Sequence, residues 1–585
     1  MPFAVIFRGF SNVASGVPWD SSRAPGSSHR YEAVAAGITF AQVAGMTKPT
    51  TVDAIRNAVI GRNAVVPGPY GPRRMVYADY AASNRSLEFI EDYLRDQVLP
   101  FYANTHSESS WTGRQTTRLR EEARRVVHRV AGGGPEDVVV FTGSGSTGAI
   151  DKLTRVLGIC VPRELDQRYG ISRSIPDSER PVVFIGPYEH HSNELVWRES
   201  IATVVAIPET RSGNVDLGAL ESALARYAER PLKIGSFSAA SNVTGVCSDV
   251  PSTTALLHRH GALSFWDFAA AGSHLPVDMN PGAPELAKDA VFLSPHKFAG
   301  GPGSPGVLIA KRKLFRNAVP TVPGGGTITY VNAAVQLYAD DPVAREEGGT
   351  PAIIESIRAA LAFQLEQSVG HDVIGQIEDA FVRRAIASWG KNPKLVLLGN
   401  LEAPRLPILS FLIRHEHGFL HHEYVVALLS DLFGIQARGG CSCAGPYGHA
   451  LLRIGAESQR DIERQVLRGQ LGIKPGWTRI SLAFFTSEIE FDYILKAVHF
   501  IAEHGSRLLG DYEFDASTGH WSHRDRRPRP VASSSLPPSA LHQHLEEAAA
   551  IVECQRTPYA SGTETNALSQ EFEALRWFPL RASNW

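Results

Sequence analysis

One lysine stands where an amine could do covalent chemistry. Lys297 sits in Asp289-Ala-Val-Phe-Leu-Ser294-Pro-His296-Lys297-Phe-Ala-Gly300-Gly-Pro-Gly303, after a short apolar strand and at the mouth of a glycine-rich loop. Low-dielectric surroundings take the proton off a lysine, and the neutral amine can attack an aldehyde to form a Schiff base. The ordinary reading of such a residue is a surface loop lysine. Ser294 and His296 flank it, however, and the rest of the chain carries groups suited to holding a phosphorylated aromatic aldehyde.

The phosphate site is expected at Gly143-Ser-Gly145-Ser146-Thr147-Gly148, which follows a strand and opens a helix. Backbone amides at a helix start, with hydroxyls beside them, attract an anion. The same string satisfies G-x-G-x-x-G, so a dinucleotide site must be weighed. That fingerprint also needs a second strand with an acid about 20 residues on. Here the downstream segment is Arg163-Glu-Leu-Asp-Gln-Arg-Tyr-Gly, polar and not a strand, so a monophosphate held by Ser146 and Thr147 fits better. The ring partners complete a pyridoxal phosphate site. Asp267 ends the strand Leu263-Ser-Phe-Trp-Asp and could keep a ring nitrogen protonated, the state in which the ring acts as an electron sink. His190, in Tyr188-Glu-His190-His191-Ser-Asn193, could stack on the ring and move protons, although a plain loop histidine is the simpler reading of it alone. Asn242, in Ser241-Asn242-Val-Thr-Gly245, could bond the ring hydroxyl. Arg438 and Arg479 could grip an amino-acid carboxylate by the planar guanidinium fork; otherwise they are surface ion pairs of small worth.

These residues need a framework that brings them together. Apolar runs Val138–Phe141, Val182–Ile185, Val204–Ile207, Ile234–Phe237, Leu263–Trp266 and Ala290–Leu293 alternate with helical patterns such as Gly148–Leu157, Leu217–Tyr227 and Thr253–His260. That alternation predicts an α/β fold with a mostly parallel sheet covered by helices. From about Pro404 the pattern changes to a smaller α+β domain. It has strands at Ile408–Ile413 and Thr478–Phe484, a helix at Glu423–Phe433, and a capping box at Ser487-Glu-Ile-Glu490. The expected organisation is an N-terminal extension over 1–72 with a helix near Val52–Val59, and a large domain over 73–403. Residues 73–110 of it contribute to the small domain. The small domain covers 404–507, and a partly disordered appendage over 508–585 has one helix near Ser539–Val552.

Composition sets limits on function. A chain of 585 residues exceeds one core, and a net charge of −2 gives no reason to expect nucleic acid or a membrane surface as a partner. No apolar run approaches the roughly 18 residues that span a bilayer. Five scattered cysteines argue for a reducing, cytoplasmic setting. Residues 1–30, poor in acids and holding Arg8, Arg23 and Arg30, weakly resemble an organelle transit peptide, but a disordered leader is the preferred reading. Cys441-Ser-Cys443 has no second Cys/His pair at zinc spacing, so no metal is expected.

With these residues in place, the chain resembles the class V aminotransferase fold family, in particular its cysteine desulfurase and selenocysteine lyase branch. The similarity runs from Tyr77-Ala-Asp-Tyr-Ala-Ala to about Ala502. It implies fold type I of the pyridoxal 5'-phosphate enzymes, with a seven-stranded large-domain sheet. It also implies that Lys297 is the Schiff-base lysine, His190 the ring-stacking histidine, and Asn242 and Asp267 the ring contacts. Ser146, Thr147, Ser294 and His296 would contact the phosphate. Thr350, in Glu347-Gly-Gly-Thr350-Pro351, matches a residue that reaches the neighbouring subunit's phosphate, which implies a homodimer with shared sites. Arg479 matches the substrate-carboxylate arginine and Arg438 a second arginine before the catalytic loop. Cys443, in Cys443-Ala-Gly-Pro446, matches the cysteine that accepts sulfur.

The activity implied is cleavage of L-cysteine, or selenocysteine, to alanine, with sulfur passed to a persulfide on Cys443 and on to an acceptor protein. Cys441 could take the sulfur next or close a disulfide with Cys443, although an inert thiol is the preferred reading. The relatives often carry glutamine where this chain has Ala270, which leaves open another reaction of the same family on a different amino acid: transamination, racemisation or elimination. A non-catalytic scaffold is disfavoured by the intact Lys297, Asp267 and His190.

Overall fold

The computed structural model describes residues 51–416, 418–525, 534–554 and 568–580. The transit-peptide or leader reading of residues 1–30 lies outside them.

Seven strands make the central sheet: β1 (Asp137–Thr142), β2 (Val182–Ile185), β3 (Thr203–Ala206), β4 (Lys233–Ser238), β5 (Leu263–Asp267), β6 (Ala290–Leu293) and β7 (Gly306–Lys311). Their order is β1-β7-β6-β5-β4-β2-β3, and all are parallel except β7, which runs antiparallel to both neighbours. The mostly parallel α/β sheet expected from the sequence is present. Strand β7 completes the seven strands that the resemblance implies; its position is not legible from the residues, because Gly306-Val-Leu-Ile adjoins a Gly/Pro-rich loop that masks it. The β6–β7 link holds no crossover helix, so the chain returns antiparallel. Both faces are buried: Val140, Val183, Ile234, Phe265, Phe292 and Leu308 form one core cluster. Because β1, β2, β4, β5 and β6 share a direction, the loops that follow them meet along one edge of the sheet. Ligands bind at that edge in open α/β sheets.

Long helices frame the sheet. Helix α1 (Trp111–Val130) packs on α3 (Ile353–Val369), and α2 (Gly145–Val156) follows β1. Segment Arg163–Tyr169 is a helix, in keeping with the rejected dinucleotide reading. The chain then enters α4 (His371–Trp389) and a second sheet made of β8 (Leu395–Leu397), β9 (Ile408–His415), β10 (Arg438–Gly440) and β11 (Trp477–Ser481), in the order β8-β9-β11-β10. Helices α5 (His422–Phe433) and α6 (Glu488–His504) cover it. The capping box at Ser487 and Glu490 starts α6. Phe381, Ala385 and Trp389 of α4 and Leu395 of β8 belong to this second core, so packing draws the small domain back to about His371 rather than Pro404.

The flanking segments also attach to the small domain. Helix Val52–Asn57 buries Ile55, and Arg56 Nε donates to the Phe485 carbonyl at 2.7 Å. Beyond α6, a hairpin (Tyr512–Phe514 with Trp521–His523), helix α7 (Ala540–Cys554) and Gln570–Leu575 pack on the small domain. The described parts of 508–580 are therefore not a loose appendage. Their apolar residues are sparse in a polar sequence, yet Tyr512, Trp521, Leu541, Val552, Phe572 and Phe578 converge on one core. His544 Nε2 accepts the Arg74 amide at 3.1 Å, which ties α7 to the segment leading to Tyr77. Phe578 is fully buried, with ring centroids 4.5 Å from His421 and 5.1 Å from Phe514. Phe578→Ala should lower unfolding free energy by about 3–5 kcal/mol, measured by denaturant titration, as a large core truncation does. No helix among the described residues is long and apolar enough to cross a membrane.

Candidate active site

The loops along the shared sheet edge, with β10 and β11 facing them, enclose a cavity of about 380 Å³. It is lined by Ser146, Thr147, His190, Asn242, Asp267, Ser294, His296, Lys297, Arg438, Cys443 and Arg479. Eleven of the twelve residues singled out from the sequence thus share one space. The twelfth, Thr350, is exposed and outside it, and accepts a hydrogen bond from Asn104 Nδ2 at 3.2 Å.

Lys297 ends a single helical turn, Pro295–Lys297, directly after β6. Asn84 fixes this turn from the opposite side: its amide donates to the His296 carbonyl at 3.0 Å and its Nδ2 to the Lys297 carbonyl at 3.1 Å. Gly301 is obligatory here, since a Cβ on it would lie 1.8 Å from the Pro295 carbonyl oxygen. The Lys297 side chain meets the cavity and is half-buried by area, yet protein atoms surround it. Burial lowers its pKa from 10.5 to about 8, with Asp267 pulling upward and Arg479 downward. At neutral pH that raises the fraction of reactive amine by about 300-fold. The rate of amine capture by an added aldehyde in cofactor-free protein should therefore rise with pH and level off above about 8, followed by stopped-flow absorbance. An ordinary lysine would keep climbing to about 10.

The N-terminus of α2 supplies amides. The Ser144 side chain forms no cap, and Ser146 N donates to Ser294 Oγ at 2.8 Å, so the helix start and the lysine loop are joined. Gly145 has φ +54°, and a Cβ there would press to 2.7 Å from Ser294 Oγ. Thr147 Oγ1 lies 2.6 Å from Ser192 Oγ, which in turn lies 3.0 Å from His190 Nδ1. Ser192 N donates to that same Nδ1 at 3.1 Å, so Nδ1 is an acceptor and any ring proton sits on Nε2. Burial and the neighbouring Lys297 hold His190 down at about 4. His296 is also held at about 4, first by burial and then by Lys297. Both rings are neutral at physiological pH.

Asp267 is buried at the end of β5, where desolvation raises its pKa while the Ala269 amide, at 2.8 Å, and Lys297 oppose that rise. Glu189 lies behind it. Its carboxylate accepts from Gly186 N, Ser238 N, Ser238 Oγ and Asn193 Nδ2 at 2.6–3.1 Å, and burial lifts its pKa to about 7. Glu189 binds the loop after β2 to the end of β4, so it fixes the height of His190.

Arg438 and Arg479 are directly opposite on β10 and β11. Like charges in that relation repel. Asp79 resolves the conflict: Oδ1 accepts from Arg479 Nη2 at 2.8 Å and Oδ2 from Arg438 Nε at 3.0 Å. Arg479 Nη1 also donates to the Asn242 carbonyl at 2.8 Å, which leaves its Nε buried without a partner. Asp79 escaped notice in the sequence, although it lies in the Tyr77-Ala-Asp79-Tyr motif, because a lone acid gives no sign of which arginines it will meet.

The thiol comes from the loop after β10. Ser442 and Cys443 both adopt left-handed backbone, φ +51° and +57°, and the Cys443 side chain is exposed at the cavity. Asn242 Nδ2 donates to the Ser442 carbonyl at 2.8 Å. Cys441 does not line the cavity; it packs on an apolar cluster with Leu398, Leu412, Tyr447 and Trp477. That placement favours the inert-thiol reading of Cys441.

The cavity suits a phosphorylated pyridine aldehyde on its own terms. It offers a buried amine, a helix start that its own N-cap residue Ser144 leaves uncapped, and an acid in its lining. Asn242 Oδ1 is buried without a hydrogen-bond partner, a group that a ring hydroxyl would satisfy. Among the described residues, no cluster of three or more His, Cys, Asp or Glu is arranged to hold a metal ion.

Comparison with known proteins agrees. Residues 76–494 match the class-V aminotransferases. The chain is 27% identical over 376 residues to a probable cysteine desulfurase of Halalkalibacterium halodurans, covering 64% of this chain and 84% of that one. It is 26% identical over 394 residues to a probable cysteine desulfurase of Staphylococcus aureus, covering 67% and 88%. Among solved structures, the apo cysteine desulfurase of Thermococcus onnurineus superposes with TM-score 0.59 at 22% identity, over 73% of this chain and 95% of that one. An Escherichia coli cysteine desulfurase gives TM-score 0.59 at 21% identity, over 78% and 99%. The fold is therefore fold type I of the pyridoxal phosphate enzymes. With a family match across most of its length and a site of this chemistry, the chain belongs to the class-V aminotransferase family and is an enzyme of cysteine desulfurase-like kind.

Proposed function

We propose that the cavity binds pyridoxal 5'-phosphate on Lys297 and that the enzyme cleaves the C–S bond of L-cysteine, or the C–Se bond of selenocysteine, to give alanine. The observation that carries this reading is that Cys443, Lys297 and Arg479 open into one cavity. A transaminase needs the last two but has no use for an exposed thiol there.

When bound, the cofactor supplies an aldehyde for amines and a ring that withdraws electrons from the substrate α-carbon. The phosphate would be held by Ser146, Thr147, Ser294 and His296, and the ring by His190, Asn242 and Asp267. Arg479 and Arg438 grip the substrate carboxylate: Arg479 Nε is unpaired, and Asp79 fixes both guanidinium planes. Lys297 Nζ, whose pKa burial lowers to about 8 so that far more of it is neutral than of an ordinary lysine, takes the proton from the substrate α-carbon. Cys443 Sγ, as thiolate, attacks the substrate sulfur. The C–S bond breaks, a persulfide forms on Cys443, and the carbon fragment is protonated to alanine. Because Cys443 is exposed, an acceptor protein can reach that persulfide.

A homodimer belongs to the same proposal. Thr350 is exposed and does not line its own cavity, and the hairpin Ile328–Val331 with Gln336–Tyr338 exposes Ile328, Tyr330, Val331, Val335 and Leu337. Such an apolar face suits a second copy of the chain.

A second reading has one observation in its favour. Ala270, where related desulfurases often carry glutamine, lines the cavity, so one ring contact is missing. Cofactor-loaded protein offered a panel of L-amino acids tests the two. Alanine from L-cysteine alone supports the desulfurase. A keto acid or D-amino acid from another substrate, with no alanine from L-cysteine, transfers the assignment to transamination, elimination or racemisation.

A further inference from the structure

Two adjacent histidines in the turn after β2 point in different directions. His190 lines the cavity, whereas His191 does not. Instead His191 takes hold of the thiol loop at two points. Its backbone amide donates to the Cys443 carbonyl at 2.8 Å, and its ring Nε2 accepts from the Gly445 amide at 3.0 Å. Nε2 is therefore unprotonated and the ring proton sits on Nδ1. Burial holds the His191 pKa below the usual histidine value, which keeps the ring in this neutral, accepting form. Gly445 matches the ring in shape, since a Cβ there would lie only 3.3 Å from Nε2.

The need for such a clamp follows from the loop's backbone. Ser442 and Cys443 are consecutive non-glycine residues with left-handed φ, a conformation that L side chains disfavour. A surface loop left to itself would relax out of that conformation and swing the thiol away. Asn242 Nδ2 holds the loop before Cys443, through the Ser442 carbonyl. The two His191 contacts hold it at Cys443 and just beyond.

We infer that His191 is the positioning residue of the Cys443 loop, locking the thiol in register with the cavity-facing turn that carries His190. The kinetic consequence rests on the proposed sulfur role of Cys443; the tether itself does not. His191 touches neither cofactor nor substrate in this assignment. It sets where Sγ stands, and a misplacement of about 1 Å costs on the order of a hundredfold in rate.

Full-length protein provides the test, with His191→Leu, His191→Gln and Cys443→Ala beside wild type. Glutamine can place an acceptor oxygen where Nε2 stands, and leucine cannot. Hydrogen exchange of the peptide carrying Gly445 should be protected in wild type, lost in His191→Leu and restored in His191→Gln. Sulfide release should fall about tenfold to a hundredfold in kcat for His191→Leu, with KM within about twofold and recovery in His191→Gln. An unprotected Gly445 amide in wild type overturns the tether without recourse to any variant. So does a His191→Leu protein with unchanged exchange and kcat when Cys443→Ala is inactive. If Cys443→Ala retains sulfide release, the desulfurase reading fails instead, and exchange alone judges the clamp.

Discussion

Lys297→Ala should abolish turnover, by about 10⁴-fold or more, and release the cofactor on dialysis. Two separate roles end with this one amine. In the proposed assignment it is the covalent anchor of the cofactor, and its depressed pKa suits it to take the substrate α-proton at neutral pH. No neighbour can inherit either role, because His190 and His296 are neutral rings held at about 4 and the arginines stay charged. The fold should survive. Burial already disfavours the ammonium, so removing it relieves a desolvation cost, and the turn around it is held by the backbone contacts of Asn84. The visible absorbance that remains after dialysis, with kcat, reads both effects, and a melting temperature close to wild type shows that neither comes from unfolding. Lys297→Ala protein that keeps its cofactor and its rate would remove the lysine from the mechanism.

Cys443→Ala separates sulfur chemistry from everything before it. Sulfide release from L-cysteine should fall by about 10³-fold, because the thiolate is the group proposed to take the sulfur. Cofactor retention and the spectral response to L-cysteine should persist, since Lys297, Asp267 and Arg479 are untouched. Alanine is the right replacement: Cys443 sits at φ +57°, and alanine keeps the backbone cost that cysteine already bears, whereas glycine would loosen the loop. Selenocysteine should suffer a smaller loss, as its weaker carbon bond breaks with less help. Cys441→Ala should change sulfide release by less than about twofold. Cys441 faces the apolar cluster beneath the loop rather than the cavity, and an effect of that size is typical of residues that make no contact with the reaction. Equal losses in the two variants would restore Cys441 as a sulfur relay.

What could be read from the sequence was whatever depends on local pattern. Strand Ala290–Leu293 followed by Pro-His-Lys is visible as an apolar run ending in a special loop, and the C-terminal ends of parallel strands are where chemistry collects. The hidden parts depend on what meets across the fold. Asp79 and Arg479 are 400 positions apart, and nothing in either neighbourhood announces the pair. His191 was visible beside His190, but only the folded loop shows that alternate neighbours in one turn face a cavity and a clamp. Strand Gly306–Lys311 escaped because loop glycines and prolines abut it, and the C-terminal segment escaped because its core residues are widely spaced among polar ones. Composition describes such a segment poorly: a few aromatics suffice when an existing core receives them.

A single turnover tests the central claim most directly. Cofactor-loaded protein, free of reductant, is mixed with L-cysteine and quenched; alanine is counted per active site, and the peptide carrying Cys443 is weighed. The account predicts one alanine per site, with one added sulfur on Cys443 and none on Cys441. Alanine formed while Cys443 remains an unmodified thiol, or a keto acid in place of alanine, would contradict it.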